Sequence, residues 1–283
     1  MDERRNELKK IIMDTKTLPT LPGVINKLNS LSNDDKSSVQ EMARIVSADQ
    51  VLSARILRLA NSPSYGFYRV STISNAMILL GVNVVKSLAL SSSIFEIMEK
   101  NSVGLWEHSL GTATAAGIIA RKLALPEVEE ITTAGLLHDI GKVIIGLKCA
   151  EQMPEIRRRI KLDELYTSEA EKAVLDTDHA EVGAWLSKSW FLPDKLSEPI
   201  AFHHQVSASE DHRIKTSVVH LADVLIKASG FGDSGDPYVP QIQQVAWDAL
   251  KMDDLLLQEI VVDLEDKLVE VKNFSLELAN AAA

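Results

Sequence analysis

The chain has a single cysteine, Cys149, and few aromatic residues, and each scarcity limits what the protein can be. One thiol excludes an intramolecular disulfide and is typical of a protein that folds in a reducing compartment. Aromatic residues make up 5% of the chain and hydrophobic residues 46%, so Leu, Ile, Val and Ala must form most of the core. The composition therefore predicts a globular protein with an aliphatic core, in which Cys149 is a buried structural thiol.

Long apolar runs and basic clusters are also scarce. No stretch reaches the roughly 18 uncharged apolar residues that a membrane-spanning helix requires, and no long apolar region typical of a signal peptide follows Met1. The net charge is −10, and the one tight basic cluster, Arg157 to Arg159 with Lys161, is interpreted as a solvated helix face. These absences predict a cytoplasmic protein that binds neither a membrane nor a nucleic-acid polymer.

Helical spacing of apolar residues dominates the chain and alternating strand patterns are nearly absent, which predicts an all-α fold. The composition turns polar around residues 100–104, and residues 229–240 hold three Gly and two Pro, which predicts a long loop. We therefore expect an N-terminal helical subdomain (1–103), a second helical subdomain (104–228), and a loop with a C-terminal helix (229–283). Helices are predicted over 24–31, 37–46, 49–61, 71–80, 83–98, 105–123, from a first turn at Pro126 to His138, and over 164–175, 178–190, 193–204, 212–228 and 253–282.

The C-terminal helix is amphipathic, with apolar residues such as Ile260, Leu264 and Leu268 between acidic ones. An apolar stripe of this kind has to be covered by another surface. It either packs back on the second subdomain or pairs two protomers in a homodimer.

His138 and Asp139 are adjacent at the end of a predicted helix and are followed by Ile140, Gly141 and Lys142. A neutral imidazole and a carboxylate can both bind one divalent cation, and the second carboxylate oxygen can bridge to another. Asp223 lies in an apolar helix, where a carboxylate is costly to bury unless it is paired or bound to metal. The candidate metal ligands are His108, His138, Asp139, His179, His203, His204 and Asp223.

Not every histidine is a candidate ligand, because histidines also occur as ordinary core or surface residues. A lone histidine on an apolar helix is more often a core or surface residue than a ligand. We assign His212 to the surface and give His220, three residues before Asp223, a supporting or packing role. If two cations were bound, they would acidify a bridging water, and Lys142 could donate to a phosphoryl oxygen. Asp139 and Lys142 are therefore the candidate catalytic residues for phosphoester hydrolysis.

The ordered set of histidines and aspartates resembles the HD superfamily of metal-dependent phosphohydrolases, with spacing closest to its HD-GYP branch. The N-terminal half resembles the HDOD family, an HD-related output domain of bacterial signalling proteins, and the resemblance covers residues 15–228. The segments that carry the HDOD resemblance are Leu18 to Pro22, Ser47 to Ser62, Ile73 to Ala76 and Leu80-Gly81.

The resemblance implies an all-helical fold in which an N-terminal bundle packs on an HD-like subdomain, and it implies a regulatory role. Most HDOD members have lost the HD ligands, whereas this chain retains a complete set. By similarity, His108, His138, Asp139 and Asp223 hold one metal, and Asp139 bridges to a second. The second metal is held by His179, His203 and His204.

Two departures from the HD-GYP pattern bear on specificity. Gln205 to Ala208 stands where HD-GYP enzymes have their Gly-Tyr-Pro segment, and Gly104 stands where they can carry an acidic ligand. Cyclic dinucleotide specificity therefore does not follow from the resemblance.

The first hypothesis is a signalling output module with a retained metal site that binds a signalling protein or a small phosphorylated ligand. The second is an active phosphohydrolase on a nucleotide or cyclic nucleotide. Fe or Mn is the expected metal, with Zn, Ni or Co as alternatives.

Overall fold

The structure is a computed structural model that describes residues 2–14, 39–61, 69–80 and 102–280. Within these ranges every regular element is helical and no strand occurs, so the all-α prediction is confirmed. A short 3-10 turn, Val206–Ala208, is the one helical segment of another type among them. The α-helices are α1 (Asp2–Met13), α2 (Val39–Val46), α3 (Gln50–Ala60), α4 (Ile73–Leu80), α5 (Ser102–Lys122), α6 (Val128–Leu137), α7 (Ile140–Lys148), α8 (Met153–Leu162), α9 (Thr167–Leu175), α10 (His179–Ser189), α11 (Asp194–Phe202), α12 (Arg213–Ser229), α13 (Gln244–Ala249) and α14 (Asp254–Asn280).

The larger hydrophobic core joins the N-terminal helices to the helices that follow residue 102. Leu52 and Ile56 of α3 are fully buried in it, together with Ile140 of α7 and Trp190 after α10. Because one continuous core contains both regions, the N-terminal helices pack on the HD-like helices as the resemblance implies. Cys149 is buried in this core as predicted, together with Met77, Trp106 and Trp185.

Glu130 of α6 is a polar contact between the same two regions. Ser71, just before α4, donates to its Oε1 atom at 2.7 Å, and Lys215 of α12 donates to Oε2 at 2.7 Å. Lys195 of α11 also pairs with the carboxylate. Burial alone would raise the pKa of Glu130, but Lys195 and Lys215 outweigh it and lower that pKa to about 2.

A second core lies under the C-terminal helix. Ile260, Leu264 and Leu268 of α14 are buried against α5 and α12, in a cluster that includes Ile119 and Leu225. The described stripe therefore packs back on the HD-like region, the first of the two alternatives. Pairing of two protomers through the helix stays a hypothesis. None of the helices in the described ranges is long and apolar enough to cross a membrane.

The structure differs from the predicted helices both in boundaries and in number. The helix expected to begin at Pro126 begins at Val128, and Pro126 lies in the preceding turn. Helices α1, α7, α8 and α13 were not predicted, and for α7 the reason is Gly141, which lowers helix propensity. A Cβ on Gly141 would lie 1.9 Å from the carbonyl oxygen of His179, so only glycine lets α7 and α10 approach this closely.

Several predictions fall outside the described residues. These are the helices at 24–31 and 83–98. The proposed subdomain boundaries at residues 103 and 228 stay predictions.

Candidate metal centre

The fold brings all seven predicted metal ligands to one place. His138 ends α6 as its C-cap and Asp139 is the N-cap of α7, so the pair stands at a helix junction. His203 is the C-cap of α11, as the sequence predicts, and Asp223 lies in the middle of α12. His108 comes from α5, His179 is the first residue of α10, and His204 follows His203.

The first group consists of His108, His138, Asp223 and the Oδ2 atom of Asp139. The Nε2 atom of His108 lies 3.0 Å from Oδ1 of Asp223, and Nε2 of His138 lies 3.3 Å from Oδ2 of Asp139. The crossed distances are also short: 3.6 Å from His138 to Asp223 and 3.7 Å from His108 to Asp139. Two imidazole nitrogens and two carboxylate oxygens therefore face one point, and all four residues are buried.

The second group consists of His179, His203, His204 and the Oδ1 atom of Asp139. Oδ1 lies 3.3 Å from Nε2 of His179 and 3.7 Å from Nε2 of His203. The Nε2 atoms of His179 and His204 are 2.7 Å apart. His204 is partly exposed, in contrast to the other six ligands. Asp139 thus offers one oxygen to each group, which is the bridging arrangement that the resemblance implies.

Unpaired buried atoms give an independent test of whether these residues fit a metal. Within the described residues, five ligand atoms are buried without a hydrogen-bond partner: Nε2 of His108, His138 and His203, and Oδ1 of Asp139 and Asp223. Buried polar atoms are paired in the large majority of cases, and an unpaired one costs about 1–3 kcal/mol. Divalent cations would satisfy all five, and imidazole with carboxylate suits Fe, Mn, Zn, Ni or Co. The residues therefore fit the expected metal.

Hydrogen bonds at the far side of the imidazole rings orient the ligands. The Nδ1 atom of His138 lies 2.8 Å from the carbonyl oxygen of Gly135, and that of His203 lies 2.9 Å from the carbonyl oxygen of Ile200. Because a carbonyl only accepts, Nδ1 of each ring carries a proton, so Nε2 is the atom through which each ring would bind a metal. Glu171 does the same for His179, with its Oε2 atom 2.6 Å from Nδ1.

Two buried lysines support the carboxylate ligands. Lys142 donates to Oδ2 of Asp139 at 2.8 Å and to the carbonyl oxygen of Ser234 at 2.8 Å. Lys227 donates to Oδ2 of Asp223 at 2.9 Å and lies 2.8 Å from Oδ2 of Asp236. Each lysine therefore neutralises one carboxylate ligand. In this structure Lys142 holds the bridging carboxylate, and its catalytic role stays a prediction.

Three of these supporting residues were missed by the sequence analysis. Lys227 lies four residues after Asp223 on one helix face, and this spacing could have identified it. Glu171 and Asp236 give no such signal, because the folding of α9 and of the 230–240 loop brings them to the centre.

The buried charges set the protonation state of the metal-free centre. Burial alone would lower the pKa of His138, but Asp139 and Asp223 outweigh it and raise that pKa to about 9. Burial alone would raise the pKa of Asp139, but His138 and Lys142 hold it well below its usual range. Burial, aided by His138, lowers the pKa of His203 to about 3. The carboxylates are therefore ionised at neutral pH, and His138 carries a proton that a metal would displace.

The two remaining histidines lie outside the ligand set. The Nδ1 atom of His220 donates to the carbonyl oxygen of His203 at 2.8 Å, and its Nε2 atom accepts from the backbone N–H of Gln243 at 3.0 Å. His220 thus supports the His203–His204 backbone, in line with its expected role. His212 is partly exposed and precedes α12.

Comparison with known proteins places the chain in a family. A family model described as the HDOD domain matches residues 18–206. The chain belongs to the HDOD family. A sequence relative is an uncharacterised protein of Treponema pallidum (strain Nichols), 26% identical over 237 residues that cover 78% of this chain. The HDOD chain described here spans 44% of the length of that relative.

Two solved structures share the HDOD fold over nearly the whole chain. An HDOD domain protein of unknown function from Geobacter sulfurreducens is 27% identical with a TM-score of 0.61, and the match covers 98% of each chain. A virulence factor from Campylobacter jejuni subsp. jejuni is 25% identical with a TM-score of 0.69 and covers 93% of this chain and 94% of its own. The all-helical HD-like architecture is therefore shown by both the structure and its neighbours.

Proposed function

We propose that the chain is an HDOD signalling module that holds a dinuclear metal centre, with Fe or Mn as the bound metal. The observation that carries the proposal is the set of five unpaired buried ligand atoms arranged around Asp139. Such a set of unpaired atoms is hard to reconcile with a scaffold that never binds metal, because each unpaired atom lowers stability. Family membership supports the signalling role, since the HDOD resemblance implies a regulatory output domain.

Each residue has a defined part in this proposal. Asp139 joins the two metal groups through its two oxygens, and Lys142 and Lys227 hold the outer oxygens of the carboxylate ligands. Glu171 orients His179. Bound divalent ions at such a site acidify water and neutralise phosphate charge. The module would therefore bind a small phosphorylated ligand at the centre or present the occupied state to a signalling protein.

Phosphoester hydrolysis is the second candidate function. The complete ligand set favours it, because a module with a purely structural role has no need of a bridging carboxylate. His204 is partly exposed, so a nucleotide or cyclic nucleotide would approach the centre from the side of the second group. Asp139 and Lys142 stay the candidate catalytic residues. Two of the three N–H groups of Lys142 donate to Asp139 and Ser234, so the third is the one that would donate to a phosphoryl oxygen.

Hydrolysis of bis(p-nitrophenyl) phosphate separates the two candidates once metal has been loaded under reducing conditions. Activity that Asp139→Ala abolishes and His212→Ala leaves unchanged would establish the enzyme. Metal-loaded protein that is inactive on this diester and on a broad nucleotide panel would leave the binding module. Metal content well below about one equivalent would contradict both, by the stoichiometry expected of a high-affinity site.

The remaining proposals concern partners and location. We expect no nucleic-acid polymer or membrane as a partner, and a cytoplasmic location. A homodimer through α14 stays an alternative, because Leu255, Val262 and Val269 are exposed on that helix although Ile260, Leu264 and Leu268 are covered.

A further inference from the structure

A cavity of about 710 Å³ lies beside the metal centre, between the start of α3 and the helices α7, α8 and α9. None of the seven predicted metal ligands lines it. Cavities of roughly 300–1,000 Å³ are typical of small-molecule sites. Much of the wall is aliphatic and would accept an apolar body: Val51, Leu105, Val143, Met153, Ile156 and Ile160.

Gln50, the first residue of α3, gives this cavity an unsatisfied hydrogen-bond acceptor. The residue is 4% exposed, and no donor from the described part of the chain reaches its Oε1 atom. A buried acceptor without a partner is unfavourable in the empty protein. An occupant with an N–H or O–H group would satisfy it once the Gln50 side chain turns that atom towards the cavity, since the atom itself is buried.

Arg157 of α8 gives the cavity an available cation. It lines the cavity and is exposed, and none of the described carboxylates forms an ion pair with it. Its neighbours differ, because Arg158 and Arg159 both donate to Glu155. Arg158 is therefore a matched control for the charge on Arg157.

The buried charges on the cavity wall are already paired. Lys142 is bound to Asp139 and Glu171 to His179. Asp236 is paired with Lys227, and the carboxylate of Asp49 caps α3 by accepting from the N–H of Leu52. Asp233 is also on the wall, but it is exposed and accepts from the backbone N–H of Gly235. Arg157 is thus the cation left for an occupant, and the exposed Asp233 keeps its negative charge.

We propose that this cavity is a second binding site, for a small amphipathic organic anion. The apolar body lies against the aliphatic wall, a donor group meets Oε1 of Gln50, and the anionic group meets Arg157. Lys142 and Glu171 line the cavity and also hold Asp139 and His179, so the occupant lies against the supports of both metal groups. The site itself does not depend on the metal and goes beyond the proposed function.

Gly146 of α7 provides a way to block the site. It lines the cavity, and a Cβ added there would meet no atom within 4 Å, so a leucine side chain has room to extend from this wall. Gly146→Leu also replaces a glycine inside a helix, so the variant is expected to fold. Gln258→Leu adds the same side chain at an exposed position of α14, away from the cavity.

Fluorescence titration with 8-anilinonaphthalene-1-sulfonate tests the proposal on the full chain without added metal. This probe has fused rings, one N–H donor and one sulfonate. We expect saturable binding that Gly146→Leu weakens by about tenfold or more, since filling the cavity removes most of the apolar contact. Arg157→Ala should weaken it roughly two- to fivefold, as an exposed ion pair does. Arg158→Ala and Gln258→Leu should leave it unchanged.

Equal probe binding by the wild type and Gly146→Leu would overturn the proposal, provided that thermal unfolding curves show both proteins to be folded. The probe would then lie on an exposed apolar surface, such as Leu255, Val262 and Val269 of α14. Equal weakening by Arg157→Ala and Arg158→Ala would also contradict it. Because no metal is added, failure of the metal centre leaves this result unaffected.

Discussion

The two groups of the candidate metal centre share Asp139 but differ in chemistry and in burial. The first group combines two imidazoles with carboxylate oxygens of Asp139 and Asp223, and a buried lysine supports each carboxylate. The second group combines three imidazoles with one carboxylate oxygen, and its His204 is partly exposed. The same fold thus offers a closed, carboxylate-rich position and a more open, nitrogen-rich one. We expect the second metal to exchange more readily and to be the one that meets a ligand.

Removal of the shared ligand, Asp139, should have the largest effect on metal binding, because both groups then lose a ligand and no longer differ in occupancy. Asp139→Ala takes one oxygen from each group and leaves Lys142 without its carboxylate partner. We expect both metals to be lost, so that metal content after gel filtration falls below about half an equivalent. Retention of one full equivalent would mean that one group binds metal without the bridge. His212→Ala is the control.

Lys227→Met should weaken the first group through its support. It removes the ammonium group that contacts both Asp223 and Asp236, and breaking a buried pair costs about 3–5 kcal/mol. Urea unfolding of the metal-free protein measures this loss, and added metal should reduce it because Asp223 then has a cation. Lys122→Met is the matched control, because Lys122 pairs with Glu259 and Asp263 at the surface, where solvent screens the charges and the loss should be much smaller. Equal losses of unfolding free energy in the two variants would contradict the supporting role of Lys227.

Glu171→Gln should act on the second group alone. The variant keeps an acceptor near Nδ1 of His179 but removes the charge that orients the ring. Changes of this kind typically lower metal affinity about 10- to 100-fold. Competition with a chelator should show the loss for one of two equivalents, with the other unchanged. A loss shared by both equivalents would show that the groups are not separable.

The smallest effect concerns a charge cluster outside both groups. The pKa of Glu130 is lowered to about 2 from its ordinary value near 4.5, so the folded state binds fewer protons than the unfolded state between these values. Its stabilisation is therefore complete above about pH 5 and is lost as pH falls towards 2. Because solvent screens the cluster, we expect about 1 kcal/mol. Glu130→Gln should remove this part of the pH dependence of unfolding without changing metal content, and an unchanged pH profile would contradict the assignment.

The sequence predicts the ligands better than their supports. His138-Asp139, His203-His204 and Asp223 are recognisable because chain order and helix position survive in the folded protein. Glu171 and Asp236 are not, since they reach the centre only through tertiary packing of α9 and the 230–240 loop.

The helices divide in the same way: local sequence patterns predict some of them, and others depend on tertiary packing. Helical periodicity predicts α5, α10 and α12 closely, because each has a continuous apolar face. It misses α7, where Gly141 and Gly146 interrupt the pattern, although Gly141 is there for close packing against α10. No local sequence pattern predicts that α7 and α10 pack this closely.

Metal content tests the central claim most directly. Wild-type protein loaded with Mn or Fe under reducing conditions, freed of excess metal and analysed by plasma mass spectrometry, should hold about two equivalents. His204→Ala should hold about one, because it removes a ligand of the second group only. Wild-type protein that holds well below one equivalent would contradict the dinuclear centre.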